Sequence, residues 1–189
     1  MSKVYVNAVE PEGASTVLTL GAVGDTVNIG GTAGTGFGSN APAFSVCTNA
    51  LSAIASATNT KIVLDREIFD SAGAFDSTTN YRFTVPAGEG GKYFISGSIN
   101  FVGTSYSGQN TVKCMLYLNG SEHGTTDSII TNQANVTNLT LNGSWILDLA
   151  AADYIELWGY WSTDGTGGNY SGSATLQKTH MSGFKLAGV

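Results

Sequence analysis

Apolar and polar residues alternate along much of the chain after residue 41, with the period of two that an extended strand produces. The longest alternating runs span residues 91–102, 112–118, 139–149, 154–161 and 181–186. Each run predicts a strand that buries one face and exposes the other.

Shorter runs at 42–46, 61–64, 67–69 and 81–85 add further strands, whereas 50–60 has neither the length nor the caps of a helix and is predicted as a loop. The Asn119-Gly120 dipeptide after the run 112–118 is the strongest short hairpin signal. Eight to ten strands, with turn residues every 8–12 positions, indicate an all-β sandwich of Greek-key or jelly-roll type.

Residues 1–40 follow a different pattern. Short β-type runs separated by Pro11 and Gly13 lead into the glycine-rich stretch GGTAGTGFGSN at 30–40, which cannot bury enough apolar surface to form its own core. We expect 1–40 to be an anchoring or stalk segment with a flexible linker, and 41–189 to be the head. The residues expected to anchor the segment are apolar: Val4, Tyr5, Val6, Val17, Leu18 and Leu20.

Charged residues make up 12% of the chain and the net charge is −6, so neutral polar groups are expected to cover most of the surface. No cluster of Lys or Arg is present, which argues against nucleic acid as a partner. No apolar run approaches the roughly 18 residues of a membrane span. The N-terminus also lacks the basic and apolar regions of a secretion signal, so no membrane partner and no secretion by that route are expected.

Seven short motifs follow one another between residues 42 and 186. They are PAFSV from Pro42, DREIFDSAGAFD from Asp65, FTVP from Phe83, GKYFIS from Gly91, LYLNG from Leu116, DYIEL from Asp153 and SGFKL from Ser182. In this order and spacing they resemble the globular head domain of complement C1q and its tumour necrosis factor (TNF) relatives. The resemblance covers about residues 42–189 and implies a C1q/TNF-like jelly roll of about ten strands that packs as a homotrimer.

The same resemblance implies a role, because such heads occur in phage tail-fibre, head-fibre and capsid decoration proteins. The run STVLTLGAVGDTVNIGG at 15–31 is similar to the short β-stalks that precede heads in phage structural proteins. We therefore expect a non-enzymatic protein of the virion surface, made in the host cytoplasm. Its partners would be its own copies, a capsid or tail protein bound through residues 1–40, and a host-cell glycan.

Two virion roles stay open on these grounds. A short chain that begins at Met1 favours capsid decoration, whereas the use of this head in adhesins favours a tail fibre or spike. A secreted or cellular C1q-like recognition or signalling protein is the alternative reading.

Aromatic residues and end loops are the candidates for contact with a ligand or partner. Tyr154, Trp158 and Tyr160 share one face of a predicted strand; they could stack on sugar rings or fill a trimer interface, where aromatic residues are favoured. The loops 103–110 and 164–172 lie at the ends of the predicted sandwich, where recognition loops occur. The contact residues expected there are Tyr106, Asp164, Asn169 and Tyr170.

An acidic stretch is the one candidate for a metal ion. Its members are Asp65, Glu67, Asp70 and Asp76, whose oxygens could hold calcium. The spacing of an EF-hand is absent, and Asp70 and Asp76 can instead cap turns by accepting hydrogen bonds from backbone amides. We favour turn capping and expect no cofactor.

No residue pattern predicts catalysis. His123 and His180 stand in no metal or triad motif, and no GxSxG turn is present, so we expect no enzyme. Cys47 and Cys114 each lie in a predicted strand and are expected to be reduced, buried thiols that fill the core.

Overall fold

The computed structural model describes residues 40–103, 106–133, 138–162 and 168–186 of the chain. The regular elements of these residues are thirteen strands. They are β1 (Ala43–Cys47), β2 (Ser52–Ile54), β3 (Thr60–Lys61), β4 (Arg66–Asp70), β5 (Phe75–Asp76), β6 (Arg82–Thr84), β7 (Gly91–Val102), β8 (Tyr106–Leu118), β9 (Ser121–Gln133), β10 (Asn138–Leu149), β11 (Tyr154–Ser162), β12 (Gly168–Tyr170) and β13 (His180–Lys185). The prediction of an all-β fold is confirmed for this part of the chain.

The strands form two antiparallel sheets. Sheet A has the order β2-β12-β7-β13-β1-β4, and β10 also pairs with β7 over its full length. Sheet B has the order β5-β6-β11-β8-β9, and β3 also pairs with β11. The two sheets pack face to face, so each has an inner face that forms the core and an outer face that is directed away from it.

The core follows from the alternation along the long strands. On β7 the residues from Tyr93 to Phe101 at odd positions are buried, and on β11 the same is true of Ile155, Leu157 and Trp161. Aromatic rings join the sheets, since the Phe44 ring of β1 stacks on the Phe83 ring of β6 at a centroid distance of 4.6 Å. The strands predicted at 91–102, 139–149 and 154–161 are therefore confirmed with their faces.

A tight hairpin joins β8 to β9 at Asn119 and Gly120. Both residues have positive φ, 51° and 80°, which is the conformation that a two-residue turn of type I′ requires. The Asn119 side chain also braces the neighbouring β11 turn: its Nδ2 donates to Asp153 Oδ1 at 2.8 Å, and its Oδ1 accepts from the Tyr154 amide at 2.9 Å. The predicted hairpin is confirmed.

Three local predictions were wrong. The loop expected at 50–60 contains β2. The strand expected at 61–64 is reduced to Thr60–Lys61, although Ile62 and Leu64 are buried, as the alternating pattern predicted. The Ile62 amide donates to the Leu157 carbonyl at 2.9 Å, so the segment is held to β11 without continuing the ladder. The loop expected at 103–110 is largely the start of β8, because its backbone pairs with β9 from Tyr106 onward.

The described residues include no helix that is long and apolar enough to cross a membrane. Six residues are expected to anchor the N-terminal segment, and all lie outside the described residues: Val4, Tyr5, Val6, Val17, Leu18 and Leu20. Both their role and the boundary between segment and head stay predictions.

Candidate functional site

The outer face of sheet B carries a row of aromatic residues, which we call the aromatic face. Tyr154, Trp158 and Tyr160 project from β11 on the side opposite the buried residues, and all three are half-buried. Tyr117 of β8 lies on the same side. The predicted grouping of the three β11 residues on one face is therefore present, and β8 adds a fourth ring.

Tyr117 and Trp158 form a stacked pair, which we call the ring platform. Their centroids are 4.5 Å apart and their planes differ by 18°, which is a favourable geometry for two aromatic rings. Trp158 Nε1 donates to Glu156 Oε2 at 3.0 Å, and Asn59 Nδ2 donates to the Tyr117 hydroxyl at 2.8 Å. A hydrogen bond thus fixes the orientation of each ring.

An ion pair with a buried carboxylate and a partly exposed ammonium lies beside the platform. Glu156 is only 4% exposed, although it projects from the outer side of β11. Lys61 Nζ contacts Glu156 Oε1 at 2.6 Å, also donates to the Asn80 carbonyl at 3.2 Å, and lies 5.9 Å from the centroid of the Trp158 ring. Because a buried ion pair often adds little net stability, we interpret this pair as a device that orients Trp158.

Two further cations contact aromatic rings on this face. The Arg82 guanidinium lies 4.1 Å from the centroid of the Tyr154 ring, and Lys113 Nζ lies 5.5 Å from that of Tyr160. Both distances are within the range of a cation–π attraction. Each ring of β11 on the aromatic face therefore has a cation as a neighbour.

The outer face of sheet A has a different character, and we call its centre the neutral face. One cross-strand row joins Ile146, Phe94, Phe184 and Ala43 from β10, β7, β13 and β1. Phe94 and Phe184 are in ring contact at 5.5 Å, and Ile146 is 67% exposed. This row presents apolar side chains to the outside of the fold.

Small polar residues form the next rows of the neutral face. Across β10, β7, β13 and β1 the neighbouring row consists of serines, at positions 144, 96, 182 and 45. The row after it joins Asn142, Ser98, His180 and Cys47. On these four strands the three rows contain no Asp, Glu, Lys or Arg, whereas on β4 Phe69 lies beside Ser45 and Arg66 lies beside Cys47. Charged groups lie at the two ends of the neutral face. At one end Lys92 pairs with Asp148 at 3.1 Å. At the other, Lys178 borders a groove of about 370 Å³ that is also lined by Asn100, Asn138 and Thr140.

The acidic stretch serves local turns. Asp70 accepts hydrogen bonds from the Ala72 and Phe75 amides, at 3.1 and 2.7 Å. The carboxylate of Asp76 accepts hydrogen bonds from the Thr79 amide, the Thr78 amide and the Asn80 side chain. These bonds hold the pKa of Asp76 well below its ordinary value, and the Thr79 amide has the largest effect. The predicted turn capping is thus present at both positions.

The other two members of the stretch have separate partners. Asp65 accepts from the Asn49 amide, and Glu67 accepts from the Ser77 hydroxyl. Among the described residues no group of three or more His, Cys, Asp or Glu side chains could hold a metal ion. The structure therefore offers no support for the calcium alternative at Asp65, Glu67, Asp70 and Asp76.

The four end-loop residues have different outcomes. Tyr170 is 1% exposed and its hydroxyl accepts from the Val63 amide at 3.1 Å, so the expectation that this ring contacts a ligand was wrong. Asn169 is half-buried on β12. Tyr106 begins β8 rather than lying in a loop, and Asp164 lies outside the described residues.

The two cysteines are free and buried, as predicted. Burial raises the pKa of the Cys114 thiol to about 12. The Cys47 pKa is also raised, mainly by burial. Both thiols are therefore harder to deprotonate than an exposed cysteine.

Four residues of the aromatic-face network were missed in the sequence: Asn59, Lys61, Tyr117 and Glu156. The alternation along 112–118 does place Tyr117 on the face opposite the core. The pairing of β8 and β3 with β11 brings these residues together, and a strand pattern does not reveal which strands are neighbours.

Comparison with known proteins agrees with this architecture. No protein-family model matches the chain. The structure of Eiger TNF from S. frugiperda is similar at a TM-score of 0.54, with 13% identity, over 78% of this chain and 93% of that chain. Murine APRIL at pH 5.0 is similar at 0.51, with 10% identity, over 76% and 98%. The globular domain of zebrafish complement 1qA protein gives 0.49, with 16% identity, over 77% and 97%.

At these identities the similarity to Eiger TNF and murine APRIL defines the fold alone, and the head has the predicted C1q/TNF-like jelly roll. Among curated proteins, the chain is similar to the uncharacterized protein YqcC of Bacillus subtilis (strain 168), with 34% identity over 123 residues. The matched region is 64% of this chain and 30% of that protein, so the chain spans less than a third of the length of this relative.

Proposed function

We propose that this protein is a non-enzymatic structural protein of the bacteriophage virion surface. Its trimeric head projects from the particle as a capsid decoration, head-fibre or tail-fibre protein and attaches to a glycan of the host surface. Support comes from the C1q/TNF-like fold, the low content of charged residues, and the similarity of residues 15–31 to phage β-stalks.

The observation that carries the proposal is the neutral face of sheet A. An exposed Ile146 beside the Phe94–Phe184 pair leaves apolar surface in water, and burying it against another copy is favourable. The adjoining serines have short side chains and no charge, so a partner can approach closely without the cost of desolvating an ion. These properties favour an interface between copies of the chain.

In the proposed trimer the outer face of sheet A contacts other copies of the chain, and the outer face of sheet B contacts the host. Since the outer faces of the two sheets point in opposite directions, a head that associates through sheet A leaves the outer face of sheet B accessible. The aromatic face is then available to a molecule of the host, which favours sugar stacking over a trimer contact for Tyr154, Trp158 and Tyr160.

Immunogold electron microscopy of purified particles tests the proposal. An antiserum raised against the full chain should label particles of the virus that encodes it, and particles made without the gene serve as the control. Label over the shell would identify a decoration or head-fibre protein, and label at the tail would identify a tail fibre. A protein that is made in infected cells but absent from purified particles would overturn the virion role.

A further inference from the structure

We propose that His180 makes association through the neutral face dependent on pH, so that acidification releases the heads from one another. The inference rests on the proposed interface between copies of the chain and adds a regulatory group to it. Three observations carry it: the place of His180 on the neutral face, the hydrogen bond that fixes its ring, and the charges around it.

His180 lies in the third row of the neutral face, on the outer side of β13. The residue that follows it, Met181, is fully buried in the core, whereas His180 itself is half-buried. Its cross-strand neighbours are Ser98 of β7 and Cys47 of β1, which are 3% and 0% exposed. A second copy that covers this row would therefore remove the imidazole from water.

A hydrogen bond fixes the ring of His180 and its tautomer. Nδ1 of the imidazole lies 3.1 Å from the Gln177 carbonyl oxygen. A carbonyl oxygen can only accept a hydrogen bond, so the neutral ring carries its proton on Nδ1, and Nε2 is the atom that takes up a second proton. Acidification thus adds a positive charge to the ring while the bond to Gln177 stays in place.

The strands beside β13 bring no charge to this row. β7 contributes Ser98 and β10 contributes Asn142. β1 contributes Cys47, whose pKa is raised, mainly by burial, so its thiol is neutral near pH 7 and below. On these four strands His180 is therefore the member of the row that changes its charge near neutral pH.

The charged residues around the row do not offset a charge on His180. β4 places Arg66 next along the row, and the exposed Lys178 lies two positions before His180. The carboxylates that flank Arg66, Asp65 and Glu67, lie outside the row, and each accepts a hydrogen bond from another part of the chain. A protonated His180 would thus be buried in the interface without a partner, which is costly.

The size of the effect follows from proton linkage. A histidine that is free of an interface is half protonated at about pH 6.5. An interface that excludes the charged form is fully favourable above this pH and weakens as the pH falls below it. At about one pH unit lower, each imidazole costs about a factor of ten, so three copies lower the association constant of a trimer about a thousand-fold. The protomer concentration at half-dissociation varies with the inverse square root of this constant and should rise about thirty-fold.

Sedimentation velocity of the full chain, over a series of concentrations at about pH 7.5 and 5.5, tests the switch. Asp and Glu side chains stay largely ionised over this interval, so histidine is the main side chain that titrates. The wild type should be trimeric at the higher pH and show the shift in half-dissociation at the lower one. His180→Gln, which stays neutral, should lose the shift. His180→Lys, which is charged at both pH values, should be dissociated at both.

The chain has two histidines, and the second provides the matched control. His123 is exposed on β9 of sheet B, so His123→Gln should keep the full shift, and circular dichroism should show that every variant is folded at both pH values. The inference is overturned by a wild-type trimer that is unchanged at the lower pH. A His180→Gln variant that dissociates as the wild type does, or a His180→Lys variant that stays trimeric, also overturns it. These results leave the interface itself standing, whereas a wild type that is monomeric at the higher pH overturns both.

Discussion

Removal of Lys61 should destabilise the head more than removal of Glu156, because the two side chains of this ion pair are unequally exposed. Replacing Lys61 by Met leaves the Glu156 carboxylate, whose side chain is only 5% exposed, with Trp158 Nε1 as its one remaining donor from this network. An uncompensated buried charge costs about 3–5 kcal/mol of the free energy of unfolding. Replacing Glu156 by Leu leaves Lys61, which reaches water through its 32% exposed side chain and keeps its bond to the Asn80 carbonyl. We expect about 1.5–3 kcal/mol for this loss, the range of a hydrogen bond to a charged group.

The double variant Lys61→Met/Glu156→Leu completes the cycle. Since it removes both charges, it should be more stable than Lys61→Met alone, even though it carries an additional substitution. Urea unfolding monitored by circular dichroism at pH 7 measures the three changes, with one fixed protomer concentration for all variants because self-association would add to stability. A Lys61→Met variant no less stable than Glu156→Leu, or a double variant at the sum of the single losses, would refute the reasoning.

Three further outcomes follow from local structure. The turn around Asp76 lowers the pKa of its carboxylate. Its contribution to stability is therefore present above the pKa of about 4 in the unfolded chain and is lost as the pH falls below it. In acid titrations of unfolding, the stability difference between wild type and Asp76→Asn should shrink below about pH 4. A Cβ at Gly124 would clash with the indole ring of Trp145, so Gly124→Ala should cost about 1–3 kcal/mol in thermal or urea unfolding. Gly90→Ala, whose nearest neighbour is at 3.4 Å, should cost less and is the control. Cys114 should resist iodoacetamide in the native protein and react in urea, as peptide mass mapping would show; rapid native labelling would contradict its burial.

The sequence was most informative where one face of a strand enters the core. Residues 91–102, 139–149 and 154–161 alternate over their whole length, and burial then determines both the strand and its faces. β9 has no such pattern in SEHGTTDSIITNQ, because its place depends on the Asn119-Gly120 turn and on pairing with β8. Short strands such as β2 and β12 contain too few residues for a period to appear.

The candidate site was only partly predictable for a related reason. Alternation placed Trp158 and Tyr160 on the outer side of β11, and the structure agrees. Glu156 lies on that same side and is buried beside Lys61 of β3. β3 pairs with β11 although the two strands are far apart in sequence, so the alternation does not reveal this contact. Tyr170 was misassigned because a glycine-rich neighbourhood suggested an exposed loop, whereas β12 places its ring in the core.

The central claim is that the head assembles through the neutral face, and sedimentation velocity of the full chain tests it most directly. The account predicts one species at three times the 19.5 kDa chain mass. Ile146→Asp should shift it to monomer, because the charge would be buried unpaired at the interface, whereas Leu51→Asp, at a 58% exposed leucine outside this face, should leave the trimer intact. A monomeric wild type, or an Ile146→Asp variant that sediments as a trimer, would contradict the account.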